Sequence, residues 1–183
     1  MLSPDSEQKP NFAITPAQPD DVEAIERMRY QSWLDTYPNE ELGFTEEMVK
    51  ERFASRLTPE GLAKTRQRYE DNLDNQDVLQ LVAKDNSGQV VGAIIATNGA
   101  RGREIGALYT DKSVHGTGVG GALMSQALNW LGDDEDVLLN VASYNERAIH
   151  FYEKFGFAKV GEPFVDEQFP NMPEQKMARR AKS

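Results

Sequence analysis

The sequence has no cysteine and no run of about 18 apolar residues. Disulfides, cysteine–zinc sites and a cysteine nucleophile are therefore excluded, and a transmembrane helix is not expected. The N-terminal stretch MLSPDSEQKPNF lacks the basic and apolar parts of a signal peptide. We therefore expect a cytoplasmic protein without a membrane partner, and no metal site is predicted.

Positive charge is scarce as well. The chain has 20 lysine and arginine residues against 30 aspartate and glutamate residues, which gives a formal net charge of −10. Binding to nucleic acid or to an anionic membrane needs clustered basic residues that neutralise phosphate, so neither partner is expected. The acidic balance suits a cationic substrate, but it equally serves solubility alone, and both interpretations stay open.

The length of 183 residues suits one domain over residues 12–183, preceded by a disordered tail over residues 1–11. Apolar periodicity and turn residues then predict an order of helices and strands. The predicted strands are 12–15, 78–83, 90–96, 104–110, 137–142, 157–160 and 175–178. Two helices are predicted to start at Val22 and near Thr45, and two more to span residues 118–131 and 145–155. Residues 58–76 are polar and give no firm element. The order of two helices, a β-meander and then β-α-β-α-β indicates one mixed α/β domain.

Four glycines fall within HGTGVGG at residues 115–121, directly before an apolar helical pattern. Gly116, Gly118 and Gly121 satisfy G-x-G-x-x-G, but residues 111–115 separate them from the preceding strand and the next strand lacks a terminal acid, so we reject a dinucleotide fold. A Walker A loop would need Gly-Lys-Ser/Thr, which is absent. A bare helix N-terminus still offers main-chain N–H groups and the positive end of the helix dipole to a diphosphate. The alternative is a tight turn that uses glycine for close packing.

The residues further along the chain add a second pattern. The loop His115-x-x-Gly118-x-Gly120, followed by Asn145 and by FYEKFGF at residues 151–157, resembles the GNAT family of acetyl-CoA-dependent N-acetyltransferases. The family's loop reads Gln/Arg-x-x-Gly-x-Gly/Ala, so His115 departs from it, and the main chain is expected to carry the phosphate contact.

The resemblance implies a mixed, mostly antiparallel central sheet with helices on both faces, and acetyl-CoA as the cofactor. It also implies that the strand before the loop splays from the next parallel strand, so that pantetheine pairs with its main chain like an added strand. The residues implied in cofactor binding are Leu108, Tyr109, Thr110, His115, Gly116, Thr117, Gly118, Val119, Gly120, Gly121, Asn145 and Ala148.

Two catalytic roles follow from the same resemblance. Tyr152 matches the tyrosine that protonates the leaving thiolate, a role that suits a phenol protonated at neutral pH. Glu104 matches a glutamate that takes the proton of the amine, directly or through water. The alternatives are a core aromatic for Tyr152 and a solvated charge for Glu104. His115 is expected to contact cofactor, and His150 to lie on the surface.

The acceptor is predicted least sharply. Trp33, Asp35 and Tyr37 could line its pocket, where aromatic rings and an acid would suit a cationic amine. Packing of the two aromatic residues onto the sheet is the alternative. We therefore expect acetyl transfer onto a primary amine of a small, polyamine-like molecule or of a peptide. A non-catalytic acyl-CoA sensor on the same fold is the alternative function, and a homodimer is left open.

Overall fold

The computed structural model describes residues 11–167 and 170–182, and the elements in it follow the predicted order closely. Most of the predicted tail, residues 1–10, lies outside the described residues. The strands are β1 (Phe12–Pro16), β2 (Val78–Asp85), β3 (Val90–Gly99), β4 (Gly102–Thr110), β5 (Val137–Ala142), β6 (Phe157–Lys159) and β7 (Glu174–Arg179). The helices are α1 (Val22–Thr36), α2 (Glu46–Ala54), α3 (Pro59–Asp71), α4 (Val119–Leu131) and α5 (Glu146–Glu153). None of the described helices is both long enough and apolar enough to span a bilayer.

Side-chain caps explain where the middle helices begin. The Thr45 hydroxyl accepts a hydrogen bond from the Met48 N–H at 3.3 Å, which starts α2. Thr58 caps α3 in the same way, and Pro59 occupies the first helical position, where its missing N–H costs nothing. The stretch without a firm sequence prediction is therefore largely a helix, which buries little more than Thr65 and Tyr69.

Seven strands form one sheet in the order β1-β2-β3-β4-β5-β7-β6. Every neighbouring pair is antiparallel except β4 with β5, which is parallel. The last strand in sequence lies between β5 and β6, so both ends of the described chain contribute to the same sheet. The predicted fold class, a mostly antiparallel α/β sheet with helices on both faces, is confirmed.

The two faces of the sheet carry different helices. One apolar cluster joins α4 and α5 to residues such as Ile94 and Ile105, and the other clusters join α1, α2 and α3 to the opposite face. Helix α4 approaches β3 closely at Gly92, where a Cβ would lie 2.9 Å from Leu123 and 3.0 Å from Val119. Glycine at that position therefore lets α4 pack directly on the sheet.

Candidate active site

A gap opens in the sheet between β4 and β5. The two strands pair only at Arg103 with Val137 and at Glu104 with Leu138, and the ladder stops there. The neighbouring β3–β4 ladder has a bulge at the same height, which leaves Gly106 out of the pairing. A bulge bends a strand, so β4 diverges from β5 and leaves one main-chain edge facing the gap.

A cleft of about 280 Å³ runs through this gap. One end lies beside α5 and the loop before α4, and the other end lies beside α1 and α2. The first end is lined by His115, Asn145, Arg147, Ala148 and Tyr152, and the second by Arg29, Ser32, Trp33, Thr36, Tyr37 and Arg52. Leu108, Tyr109 and Thr110 line the wall between the two ends. We call these the donor end and the acceptor end.

The glycine loop borders the donor end. Gly116 and Gly118 have φ of +79° and +95°, and a Cβ on either would meet no heavy atom of the described residues within 4 Å. At the start of α4 the Ala122 N–H donates to the Gly118 carbonyl, so the N–H groups that precede residue 122 project beyond the helix. Open space above donors at a helix N-terminus fits an anionic group such as a diphosphate.

Within this loop, one of the expected phosphate donors is already engaged. The Thr117 N–H and hydroxyl both donate to the Val114 carbonyl, at 3.2 and 2.8 Å. Upstream, the Asp111 carboxylate accepts from the Ser113 N–H at 2.8 Å and fixes the turn that leads into the loop. The Ser113 hydroxyl also donates to this carboxylate, and the hydroxyl bond, followed by the N–H bond, lowers the pKa of Asp111 below its ordinary value. The N–H and the hydroxyl of Thr117 are therefore already hydrogen-bonded within the loop.

His115 lies against Arg147, a residue that the sequence analysis did not select. A guanidinium nitrogen of Arg147 contacts the His115 ring, whose pKa is lowered by burial and then by the charge of Arg147. His115 is therefore biased toward its neutral form, and Arg147 supplies the positive charge beside the loop. His115 and Arg147 lie 32 positions apart, so no local pattern in the sequence indicated this contact.

Asn145 and Ala148 are joined by a helix cap. The Asn145 side-chain oxygen accepts from the Ala148 N–H at 3.1 Å, which starts α5 at the rim of the cleft. The side chain of Asn145 therefore positions the helix as well as lining the cleft.

Tyr152 is both a core residue and a cleft residue. Its ring is 9% exposed and packs on Phe151 and Phe157, while the residue also contributes to the cleft wall. Burial, and then the neighbouring Tyr109, raise the pKa of Tyr152 well above that of a free phenol. The hydroxyl therefore stays protonated across the neutral range and can donate a proton.

Glu104 lies at the closed apex of the gap, where the β4–β5 pairing ends. The preceding Arg103 is buried and pairs with Asp134 at 2.6 Å, just after α4. Because side chains alternate along a strand, Glu104 points to the opposite face, toward the acceptor end. It is exposed and lines the cleft, as a group that meets an incoming amine would. His150 is exposed and lies outside the cleft wall.

Two of the three predicted acceptor residues line the cleft. The centres of the Trp33 and Tyr37 rings lie 4.6 Å apart in its wall, with the rings tilted by 59°, and the Tyr144 hydroxyl donates to the Tyr37 carbonyl at 2.7 Å. Asp35 does not line the cleft; it is exposed and accepts a hydrogen bond from Gln31 at 3.1 Å. Its place two residues after Trp33 explains this, since residues two apart on a helix do not share a face.

The acceptor end instead contains two arginines that the sequence analysis passed over, Arg29 and Arg52. Arg29 lies four residues before Trp33 and so shares its face of α1. That spacing was a usable signal. The guanidinium carbon of Arg52 lies 4.9 Å from the centre of the Trp33 ring. This contact joins α1 and α2, so no local pattern in the sequence predicts it.

Comparison with known proteins agrees with this geometry. The acetyltransferase (GNAT) family model matches residues 28–157. The chain belongs to the GNAT acetyltransferase family, which confirms the resemblance carried by the glycine loop and the FYEKFGF stretch.

Individual relatives are more distant. Peptidyl-lysine N-acetyltransferase YjaB of Escherichia coli K12 is 35% identical over 86 residues, which is 47% of this chain and 54% of that protein. The chain thus matches about half the length of this relative. The crystal structure of PaiA N-acetyltransferase from Thermoplasma acidophilum with coenzyme A has a TM-score of 0.72 at 22% identity, covering 92% of this chain and 98% of that one. A spermidine N-acetyltransferase SpeG chimera from Vibrio cholerae and hSSAT has a TM-score of 0.64 at 18% identity, with 93% and 95% covered. At these identities, the two structures show the fold alone.

Proposed function

We propose that the protein is an acetyl-CoA-dependent N-acetyltransferase that moves the acetyl group directly from the thioester to a primary amine. The observation that carries this proposal is the continuous cleft through the β4–β5 gap. It joins a helix N-terminus suited to a diphosphate to an acceptor end on the opposite face. A donor with a long flexible arm could thus bind on one face and present its thioester to an amine on the other.

The donor end fits coenzyme A in three respects. The N–H groups around Gly116 and Gly118 suit the diphosphate, and Arg147 adds a positive charge beside them. The edge of β4 that faces the gap can pair with the amides of pantetheine over Leu108, Tyr109 and Thr110. The relative from Thermoplasma acidophilum was crystallised with coenzyme A, which supports the same assignment for this chain.

In the proposed reaction, each of the two predicted catalytic residues transfers one proton. The amine nitrogen forms a bond to the thioester carbon, the carbon–sulfur bond breaks, and the electron pair leaves with sulfur. Glu104, directly or through water, accepts the proton of the amine, and Tyr152 donates a proton to the thiolate. The chain has no cysteine, which excludes an acetyl-cysteine intermediate and fits direct transfer.

Acceptor identity is proposed only as a class. YjaB is named for peptidyl-lysine and SpeG for spermidine, so a peptide amine and a small polyamine-like amine are both compatible with the family. A cytoplasmic location and a homodimer stay predictions of the sequence.

The test is release of free thiol from acetyl-CoA in the presence of a panel of amines. Tyr152→Phe should lower kcat by roughly 100-fold or more, because the general acid is lost, while the Kd for CoA changes little. Tyr30→Phe is the matched control, since Tyr30 packs on Phe53 outside the cleft. Tight CoA binding without turnover on any amine would contradict the enzyme and favour an acyl-CoA sensor.

A separate variant tests the base. Glu104→Gln should lower kcat with little effect on the Kd for CoA, and Glu153→Gln, an exposed change on α5, should not. Full activity of Glu104→Gln would assign proton removal to water or to another group.

A further inference from the structure

The helical side of the acceptor end carries arginines, although the protein as a whole is acidic. Arg29 and Arg52 both contribute to its wall. A second cavity of about 200 Å³ adjoins it and shares Arg29, Ala107 and Tyr109 with it. Arg56 and Arg68 also line this second cavity, where Glu26 is the acidic residue of the wall. Four arginines thus surround the two joined spaces on the side of α1, α2 and α3.

Glu26 does not neutralise this cluster. Its carboxylate is buried and accepts two hydrogen bonds from Arg56, at 3.0 and 3.2 Å. Arg29 is further away, with 3.7 Å between a guanidinium nitrogen and the nearer Glu26 oxygen. Arg56 thus holds the Glu26 carboxylate with two hydrogen bonds, and Arg29 forms only the longer ion pair with it, so one carboxylate is shared between two guanidinium groups.

Besides its ion pair with Glu26, Arg29 is held in place by packing on two aromatic rings. Its guanidinium lies 5.1 Å from the centre of the Tyr109 ring and 5.9 Å from that of Phe53. Its side chain is 19% exposed, and its buried Nε has no hydrogen-bond partner among the described residues. A guanidinium fixed on two rings, with part of its side chain exposed to the cleft, is preorganised for a planar anion.

Arg52 brings a second guanidinium to the same end. Burial, followed by the charges of Arg29 and Arg56, lowers the pKa of Arg52. Asp166 acts in the opposite sense on Arg52, and Glu174 lines the cleft on the β7 side. The carboxylates of the cleft wall lie on strands, Glu104 on β4 and Glu174 on β7. The arginines of the acceptor end lie on helices, Arg29 on α1 and Arg52 on α2.

We propose that the acceptor is a small molecule of the amino-acid class, with a carboxylate that binds Arg29 and Arg52 and a primary amine that meets Glu104. This inference rests on the proposed acetyl transfer and narrows its substrate. Positive charge beside the acceptor would repel the second ammonium group of a diamine or polyamine, whereas it would pair with a carboxylate. The wall of the cleft thus has opposite charges for the two ends of a zwitterion.

The test compares three acceptors at each chain length from two to six carbons: an ω-amino acid, the matching alkylamine and the matching diamine. The amino acid should have the highest kcat/KM at its best length, and the diamine the lowest. Arg29→Gln should reduce the ratio of kcat/KM for amino acid over alkylamine by roughly 10- to 100-fold, as expected for one hydrogen bond to a charged group. Arg52→Gln should reduce this ratio in the same direction.

Arg27→Gln is the matched control. Arg27 lies on the same helix but pairs with Glu23 on the exposed side, so all rates should match those of the wild type. Arg29→Lys keeps the charge without the planar fork and should recover part of the ratio. The proposal would be overturned if Arg29→Gln left the ratio of kcat/KM for amino acid over alkylamine unchanged. It would also be overturned if diamines had a higher kcat/KM than amino acids at every chain length.

A direct binding measurement separates this proposal from the proposed activity. If none of the acceptors turns over, calorimetry of the best-fitting ω-amino acids against CoA-loaded protein decides the question. Binding that Arg29→Gln weakens would support the carboxylate site and count against catalysis alone. A lack of binding to the wild-type protein would contradict the site itself.

Discussion

Gly118 allows the phosphate assignment to be tested by charge alone. A Cβ at this position meets no heavy atom of the described residues within 4 Å, so a new side chain enters open space. The strain comes from φ of +95°, which costs a non-glycine residue about 1–2 kcal/mol. Asp and Asn have nearly the same shape and both tolerate positive φ better than other residues. Gly118→Asp and Gly118→Asn therefore share the steric and backbone costs and differ in one negative charge.

The size of the charge effect follows from the exposure of the loop. Two unit charges 4 Å apart interact by about 1 kcal/mol in water and about 4 kcal/mol at an effective dielectric constant of 20. Gly118 is exposed, so the lower half of this range applies. A repulsion of about 1–2 kcal/mol corresponds to a Kd for CoA that is roughly 5- to 30-fold weaker in Gly118→Asp than in Gly118→Asn.

Isothermal titration calorimetry with CoA measures this difference, and thermal unfolding checks that both variants fold alike. The gap between the two Kd values should shrink in 1 M salt, because the Debye length falls from about 10 Å at 0.1 M to about 3 Å. Equal affinities at low salt would refute the reasoning, since a diphosphate beside residue 118 must respond to the added carboxylate.

Two further changes test the structure that supports the site. Gly92→Ala should lower the free energy of unfolding, measured in urea, by about 1–3 kcal/mol, because its Cβ would lie 2.9 Å from Leu123. Gly99→Ala is the control, since a Cβ there would enter open space. An equal loss of unfolding free energy in the two variants would contradict the close packing of α4. Asp111→Asn should lower the free energy of unfolding at neutral pH by well under 1 kcal/mol, because the carboxylate is only partly shielded from solvent, and Tm should fall slightly with it. Because the pKa of Asp111 is depressed in the folded state, its contribution is present above about pH 4 and is lost as the pH falls through that depressed value. A Tm difference that grows in acid would contradict this.

Local pattern predicted the elements that hold the donor end. The i, i+4 spacing of Val119, Leu123 and Ala127 defined α4, and all three are buried against the sheet. The glycines before α4 and the alternation along β5 were equally visible. Helix α3 gave no such signal, because it buries mainly Thr65 and Tyr69 and is otherwise polar.

Other features depend on contacts that sequence pattern does not encode. The sequence predicted a strand close to β7, but its place between β5 and β6 is a long-range pairing. Arginines on a helix are usually solvated, so nothing local indicated that Arg29 would stack on Tyr109, on a strand far along the chain. Asp35 illustrates the converse, since its chemistry suited a cationic acceptor but its helical position turned it away from the cleft.

A crystal structure of the protein with coenzyme A tests the central claim most directly. The account predicts the diphosphate against the main chain of residues 116–121 and the pantetheine arm between β4 and β5, with its sulfur near Tyr152. Coenzyme A bound elsewhere, with the gap between these strands empty, would contradict the account.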